Sequence, residues 1–147
     1  LIGVFDVKLL NVFARVLQKL GSRHSIIVKG NGLDEITLTG TTSVAEQMNG
    51  NIENYSLNPK DFGFNLCSIE ELKGDAPEDN AKIIIDVLNG ARGTKRDIVV
   101  LNAAAALLSV GLAKDYEGGI ALAKRSIDSG NALKKLNELI KFSNDRF

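Results

Sequence analysis

Two adjacent carboxylates, Asp34 and Glu35, close the segment Lys29-Gly30-Asn31-Gly32-Leu33-Asp34-Glu35, which follows a short run of β-branched residues. Open α/β sheets bind ligands at loops that leave the ends of their strands. Adjacent carboxylates on such a loop can both turn toward one hard cation. Mg²⁺ typically takes one or two carboxylates, several waters and the phosphate oxygens of a substrate. The pair suits a metal shared with a phosphate, yet Gly-x-Asp-Glu is a common string, and on spacing alone two solvated turn residues are the stronger reading. Gly30-x-Gly32 adds little, because the third glycine and the immediate helix of a dinucleotide or phosphate-loop fingerprint are missing.

Other reactive residue types are sparse. His24 is the single histidine, so any Ser–His–Asp or Cys–His arrangement must use it. Its place at a turn entering a buried strand favours a hydrogen-bonded structural role. The single cysteine, Cys67, lies before a helix start in an apolar stretch and reads as a small core residue rather than a nucleophile. Arg92, Lys95 and Arg96 form the densest basic group, with no interleaved aromatics to stack bases. A solvated loop between helices accounts for them. Asn102, inside an apolar helix, reads as a buried amide satisfied by neighbouring backbone. No residue stands out as a covalent catalyst.

The elements that must position these residues follow from periodicity and punctuation. Asp6 precedes Leu9, Val12, Phe13, Val16, Leu17 and Leu20 at helical spacing, which predicts a helix over 7–20 stopped by Gly21. Ser25-Ile26-Ile27-Val28 predicts a buried strand, and Ile36-Thr37-Leu38-Thr39 alternates as a half-buried strand should. Extended runs at 43–48 and 52–57 flank Asn49-Gly50, the dipeptide best suited to a tight hairpin turn. Pro59 ends the β-rich part. Ser68-Ile69-Glu70-Glu71 is a capping box, Asp75-Ala76-Pro77 starts a helix with Ala81, Ile84, Ile85 and Leu88 on one face, and Asp97 caps the apolar run 98–113. That run is apolar on nearly every side, which predicts a central helix. Two amphipathic helices, 115–129 and 131–142, complete a single α/β domain with a small mixed sheet and a hairpin, packed by several helices.

Composition narrows the function classes. The chain has 147 residues, 44% of them hydrophobic, with 18 Lys plus Arg against 18 Asp plus Glu. Zero net charge gives no global field toward nucleic acid or an anionic bilayer. A lone cysteine rules out an intramolecular disulfide and a CxxC motif, so a cytoplasmic setting is expected. The apolar run 98–113, broken by Asn102, Ser109 and Gly111, is shorter than the roughly 20 residues of a membrane helix. The chain starts at Leu1, on the apolar run Leu1-Ile2-Gly3-Val4-Phe5, which reads as the cut edge of something longer.

Gly3-Val4-Phe5-Asp6, Gly32-Leu33-Asp34-Glu35-Ile36, Leu38-Thr39-Gly40, the run Lys95-Arg96-Asp97-Ile98-Val99-Val100-Leu101-Asn102-Ala103-Ala104-Ala105-Ala106, and Ile127-Asp128-Ser129-Gly130 occur in that order. Together they resemble the C-terminal part of the anthranilate phosphoribosyltransferase family, at similar spacing across essentially all of residues 1–147. The resemblance implies an α/β domain of the nucleoside phosphorylase/phosphoribosyltransferase type, on which the family packs an N-terminal helical subdomain. It implies transfer of phosphoribose from phosphoribosyl pyrophosphate to the amine of anthranilate, in tryptophan biosynthesis, with pyrophosphate leaving. It also implies that Asp34 and Glu35 match the acidic pair that binds Mg²⁺ beside the pyrophosphate. The family's glycine-rich phosphate loop, its Ser/Thr- and Lys-containing stretch and its anthranilate-associated arginine have no counterpart in residues 1–147, nor does most of the helical subdomain through which the family dimerises. A homodimer therefore concerns only the complete enzyme, whose partners would be the two substrates and the remainder of its own chain. The 147 residues alone are expected to be inactive.

Two rivals share the architecture. A non-enzymatic, nucleic-acid-binding relative is disfavoured by zero net charge and by an acidic pair that repels phosphate without a metal. A pyrimidine nucleoside phosphorylase-like domain accounts less well for Gly-Leu-Asp-Glu.

Overall fold

The computed structural model of the chain describes residues 1–145. Four strands form one sheet in sequential order: β1 (Ile2–Gly3), β2 (His24–Gly30), β3 (Thr42–Met48) and β4 (Asn51–Leu57). β1 runs parallel to β2, with Ile2 opposite Ile27 and Gly3 opposite Val28, and α1 (Leu10–Lys19) makes the crossover between them. The other pairings are antiparallel, so the sheet is mixed, as expected. Asn49 and Gly50 both take positive φ at the β3–β4 hairpin, the conformation that Asn-Gly adopts most cheaply. β4 is an outer strand whose exposed Asn51, Glu53, Asn54 and Ser56 blunt its edge.

Successive strand residues point to opposite faces, and the two faces build separate cores. Ile27 and Ala45 pack with Val4 and with Leu10 and Ala14 of α1. On the other face Ile26, Val28, Val44 and Leu57 pack with Val100, Leu101, Ala104 and Ala105 of α4 (Thr94–Ser109) and with Ile120, Ala123 and Ile127 of α5 (Tyr116–Asp128). The result is a helix–sheet–helix sandwich. α4 and α5 meet closely at Gly119, where a Cβ would lie 2.7 Å from the Ala104 carbonyl oxygen. α2 (Ile69–Leu72), α3 (Pro77–Leu88) and α6 (Asn131–Asn144) flank this layer. Glu71 accepts from the Ser68 N–H at 2.9 Å and so closes the start of α2. No helix among the described residues is long and apolar enough to cross a membrane.

Several expectations change. Residues 36–39 form no strand: Ile36, Thr37 and Leu38 are fully buried in an irregular loop whose polar groups are met mainly by side chains, with the Cys67 N–H donating to the Leu38 carbonyl at 3.0 Å, rather than by a ladder. The Thr37 N–H donates to Thr42 Oγ1 at 3.1 Å, and the Thr39 N–H to Thr37 Oγ1 at 3.0 Å. α1 packs through the narrow stripe Leu10, Ala14 and Leu17, leaving Val12, Phe13, Val16 and Leu20 exposed. Ile84 and Ile85 of α3 are likewise exposed, and Val87 is that helix's buried residue. α4 begins at Thr94 behind Gly93 rather than at an Asp97 cap, which draws Arg96 into its first turn and buries it.

Candidate functional site

The acidic pair sits where the topology predicts a ligand. β1 and β2 are the parallel strands, and the loop 31–41 leaves the C-terminal end of β2. Two glycines let that loop lie directly on the strand ends. A Cβ on Gly3 would stand 1.6 Å from the Asp34 carbonyl oxygen, and one on Gly30 would stand 2.3 Å from the Glu35 carbonyl oxygen. The loop's base is closed by Thr39, whose hydroxyl donates to the Asn31 carbonyl at 2.5 Å, and by the Asn31 amide, which donates to the Thr39 carbonyl at 3.2 Å.

Further ties flank the carboxylates. The Lys29 ammonium folds back over the loop and donates to the carbonyls of Gly30 at 3.0 Å and Leu33 at 2.9 Å. From α4, the Asn102 amide holds the Ile36 residue twice: its Oδ1 accepts from the Ile36 N–H at 3.0 Å and its Nδ2 donates to the Ile36 carbonyl at 2.7 Å. Nδ2 also donates to the Ile98 carbonyl at 3.0 Å. Asn102 is thus the backbone-satisfying amide expected, but half-buried at the cleft rather than buried.

Asp34 and Glu35 themselves face solvent. The Asp34 side chain is 58% exposed and its nearest cation, Lys29, is 3.9 Å away. Glu35 borders an open cleft of about 390 Å³ with Leu33, Leu72, Ile98, Val99 and Asn102. Its carboxylate has no hydrogen-bond or ion-pair partner among the described residues. No group of three or more His, Cys, Asp or Glu among the described residues could cage a metal. Two adjacent carboxylates with open lone pairs instead fit an ion that keeps waters and shares itself with a phosphorylated ligand, as Mg²⁺ does.

The remaining candidates are occupied structurally. His24 Nε2 donates to Glu46 Oε1 at 2.7 Å, and Glu46 Oε2 accepts from the Tyr55 hydroxyl at 2.5 Å. The Tyr55 hydroxyl lies 3.1 Å from the Tyr116 hydroxyl, which links the sheet to the start of α5. Sequence reasoning missed this cluster, because its members are scattered along the chain and only the register between β2, β3 and β4 unites them. Burial pushes the Cys67 thiol pKa up, and the charges of Glu71 and Asp97 add to the effect. That suppresses the thiolate a nucleophile needs. Arg96 pairs with Asp128, and the Lys95 ammonium donates to the Lys73 carbonyl, so two of the three clustered basic residues are held by intramolecular partners.

Comparison with known proteins points one way. Residues 1–133 match the family model described as the glycosyl transferase family, a/b domain. An anthranilate phosphoribosyltransferase of Methanococcoides burtonii is 46% identical over 142 residues, covering 97% of this chain and 40% of that protein. The crystal structure of the anthranilate phosphoribosyltransferase from Thermus thermophilus superposes with a TM-score of 0.87 at 33% identity, over 95% of this chain and 41% of that one. A Saccharomyces cerevisiae anthranilate phosphoribosyltransferase, in complex with PRPP and Mg, superposes with a TM-score of 0.84 at 27% identity, again over 95% and 41%. The chain thus spans about two-fifths of the length of the relatives it matches.

Proposed function

The chain belongs to the glycosyl transferase family, a/b domain, and from that membership we propose that the complete protein transfers phosphoribose from phosphoribosyl pyrophosphate to anthranilate. Its 147 residues are then the C-terminal portion of a larger α/β domain, in which Asp34 and Glu35 hold Mg²⁺ against the leaving pyrophosphate. The observation that carries the reading is the open coordination of these two carboxylates at the ends of parallel strands.

As the bond between ribose C1 and the pyrophosphate oxygen breaks, positive charge develops on the sugar and negative charge on the departing oxygens. A bound divalent cation would neutralise charge on the leaving group, an interaction that strengthens in the transition state and so lowers the barrier. The chain's own contribution is geometric. Gly3 and Gly30 pack so closely under the Asp34 and Glu35 carbonyls that not even a Cβ would fit between, so that backbone has no room to shift toward the strands, and the ties at Leu33 and Ile36 fix it laterally. The acceptor amine would form its bond to ribose C1 as the C1–O bond breaks and then give up a proton to water, so the step itself needs no covalent protein intermediate. A cytoplasmic setting suits both a phosphorylated substrate and a free thiol.

The test is the complete enzyme carrying Asp34→Asn together with Glu35→Gln. Turnover should collapse at limiting Mg²⁺. Full activity at every Mg²⁺ concentration would remove the metal assignment.

A further inference from the structure

The acidic pair occupies a stretch with no ladder hydrogen bonds, beside Gly32 at φ +79° and Gly30 at the strand end. Such backbone is costly to order at the moment of binding. Metal ligands that are already ordered bind more tightly, because the entropy of fixing them is lost on folding rather than on association.

Two side chains do this ordering. Lys29 lies on β2, held by its pairing with Ser43 of β3, and reaches forward to the carbonyls at Gly30 and Leu33. Asn102 lies in the middle of α4, anchored by Ile98 one turn earlier, and takes both the N–H and the C=O of Ile36. Leu33 and Ile36 immediately bracket Asp34 and Glu35. Resting on the reading of that pair as divalent-cation ligands, we propose that Lys29 and Asn102 are positioning residues which clamp the backbone on both sides of the pair and so set where its two carboxylates point.

Simpler roles fit less well. Were Lys29 only a counter-charge for Asp34, its ammonium would approach the carboxylate, but it stands 3.9 Å away and spends its hydrogen bonds on two carbonyls. An ion pair at that distance, with its carboxylate more than half exposed, contributes little. Were Asn102 only a satisfied core amide, its bond to the Ile98 carbonyl and any one further partner would serve. Its remaining groups instead engage both polar groups of the residue next to Glu35.

The test uses the complete enzyme with Lys29→Met, which keeps the apolar stem, and separately with Asn102→Leu. Amide hydrogen exchange over residues 31–37 should accelerate about tenfold or more while β2 and α4 keep their protection. Binding of Mn²⁺ in the presence of phosphoribosyl pyrophosphate, read by electron paramagnetic resonance, should weaken by roughly tenfold, the usual scale for losing an outer-shell partner. The half-saturating Mg²⁺ for turnover should rise in step while kcat at saturating metal stays at the parental value. Lys29 lies near the C-terminal end of β2 with its ammonium partly exposed, and Lys29→Met keeps its stem, so this variant decides the matter even where Asn102→Leu lowers the folded yield. Unchanged exchange over 31–37, or a fall in kcat with unaltered metal affinity, overturns the clamp. The variant carrying Asp34→Asn with Glu35→Gln separates the two claims. If it still binds Mn²⁺ normally, the ligand reading falls and the clamp's role with it; if it loses Mn²⁺ while the clamp variants do not, the clamp alone falls.

Discussion

Arg96 Nη2 stands 2.7 Å from Asp128 Oδ1, pairing a guanidinium that is 3% exposed with a carboxylate that is 48% exposed. The contact joins the first turn of α4 to the last residue of α5, and Arg96 Nη1 adds a 3.3 Å bond to the Gly90 carbonyl. The Nη2 group has no hydrogen bond of good geometry among the described residues, so the carboxylate's charge is its main compensation. Removing either partner therefore has unequal effects. Asp128→Ala leaves a cation buried without its counter-charge and should cost about 2–3 kcal/mol, somewhat less than a fully buried broken pair because water reaches the half-exposed side. Arg96→Met leaves behind only a carboxylate that water can solvate and should cost less than about 1 kcal/mol. Urea denaturation of both variants checks the order, and a larger loss for Arg96→Met would show that packing rather than charge governs the contact.

The pH dependence of stability should be set at high pH by the two tyrosines. The chain has two, and both belong to the cluster with Glu46 and His24. Burial, with the bond to the Glu46 carboxylate second, pushes the Tyr55 pKa far above 10. Burial likewise raises Tyr116, to about 12. A folded-state pKa raised above the unfolded value means that the folded chain holds the proton more tightly. The associated stability is complete below pH 10 and drains away as pH climbs through 10 toward 12 and beyond. For Tyr116 alone the loss amounts to roughly 3 kcal/mol across that interval. Absorbance at about 295 nm, where tyrosinate absorbs, should stay low in the folded chain near pH 11 and rise only with unfolding. A smooth tyrosinate titration centred near pH 10, with secondary structure intact, would contradict the buried cluster.

These groups also mark where sequence reading succeeds and fails. Local chemistry is legible when a few neighbouring residues decide the outcome. Asn49-Gly50 specifies its hairpin, and Ser68 and Glu71 the start of α2. Tertiary choices are not. The alternation Ile36-Thr37-Leu38-Thr39 has the period of a strand, but its backbone is satisfied by Asn102, Thr42 and its own threonines, partners up to 66 residues away. Val12, Phe13 and Val16 satisfy a helical period, yet the sheet accepts only the stripe of Leu10 and Ala14, because Ile27 and Ala45 offer a narrow bed. Arg96 looks like a loop cation until α4 starts at Thr94 and Asp128 supplies its counter-charge.

The glycines beneath the acidic pair should be graded by what a methyl group would meet. Gly3→Ala places Cβ 1.6 Å from the Asp34 carbonyl oxygen, and Gly30→Ala places it 2.3 Å from that of Glu35. Both obstacles are backbone, so the loop itself must move. Each substitution should cost roughly 2–3 kcal/mol, on the scale of overpacking a tight contact. Gly32→Ala meets nothing within 4 Å and suffers only its positive φ of +79°, which costs about 1 kcal/mol. Equilibrium denaturation of the three variants should give Gly32→Ala the smallest loss. A Gly3→Ala variant as stable as the parent would mean that the Asp34 backbone does not rest on β1.

The final prediction concerns the 147 residues by themselves. Phosphoribosyl pyrophosphate carries several negative charges, and the site offers two more in Asp34 and Glu35, with Lys29 already committed to two carbonyls. Even with a divalent cation present, a polyanion needs further donors to hold it, and an acceptor amine must be aligned with ribose C1 before bond breaking is fast. Arg96 and Lys95, the nearest basic residues in sequence on α4, are occupied by Asp128 and by the Lys73 carbonyl. The relatives whose names describe the transferase are more than twice as long as the part matched here. Incubated with Mg²⁺, phosphoribosyl pyrophosphate and anthranilate, the 147-residue chain should leave anthranilate fluorescence constant. A steady decline proportional to chain concentration would mean that these residues suffice to position both substrates.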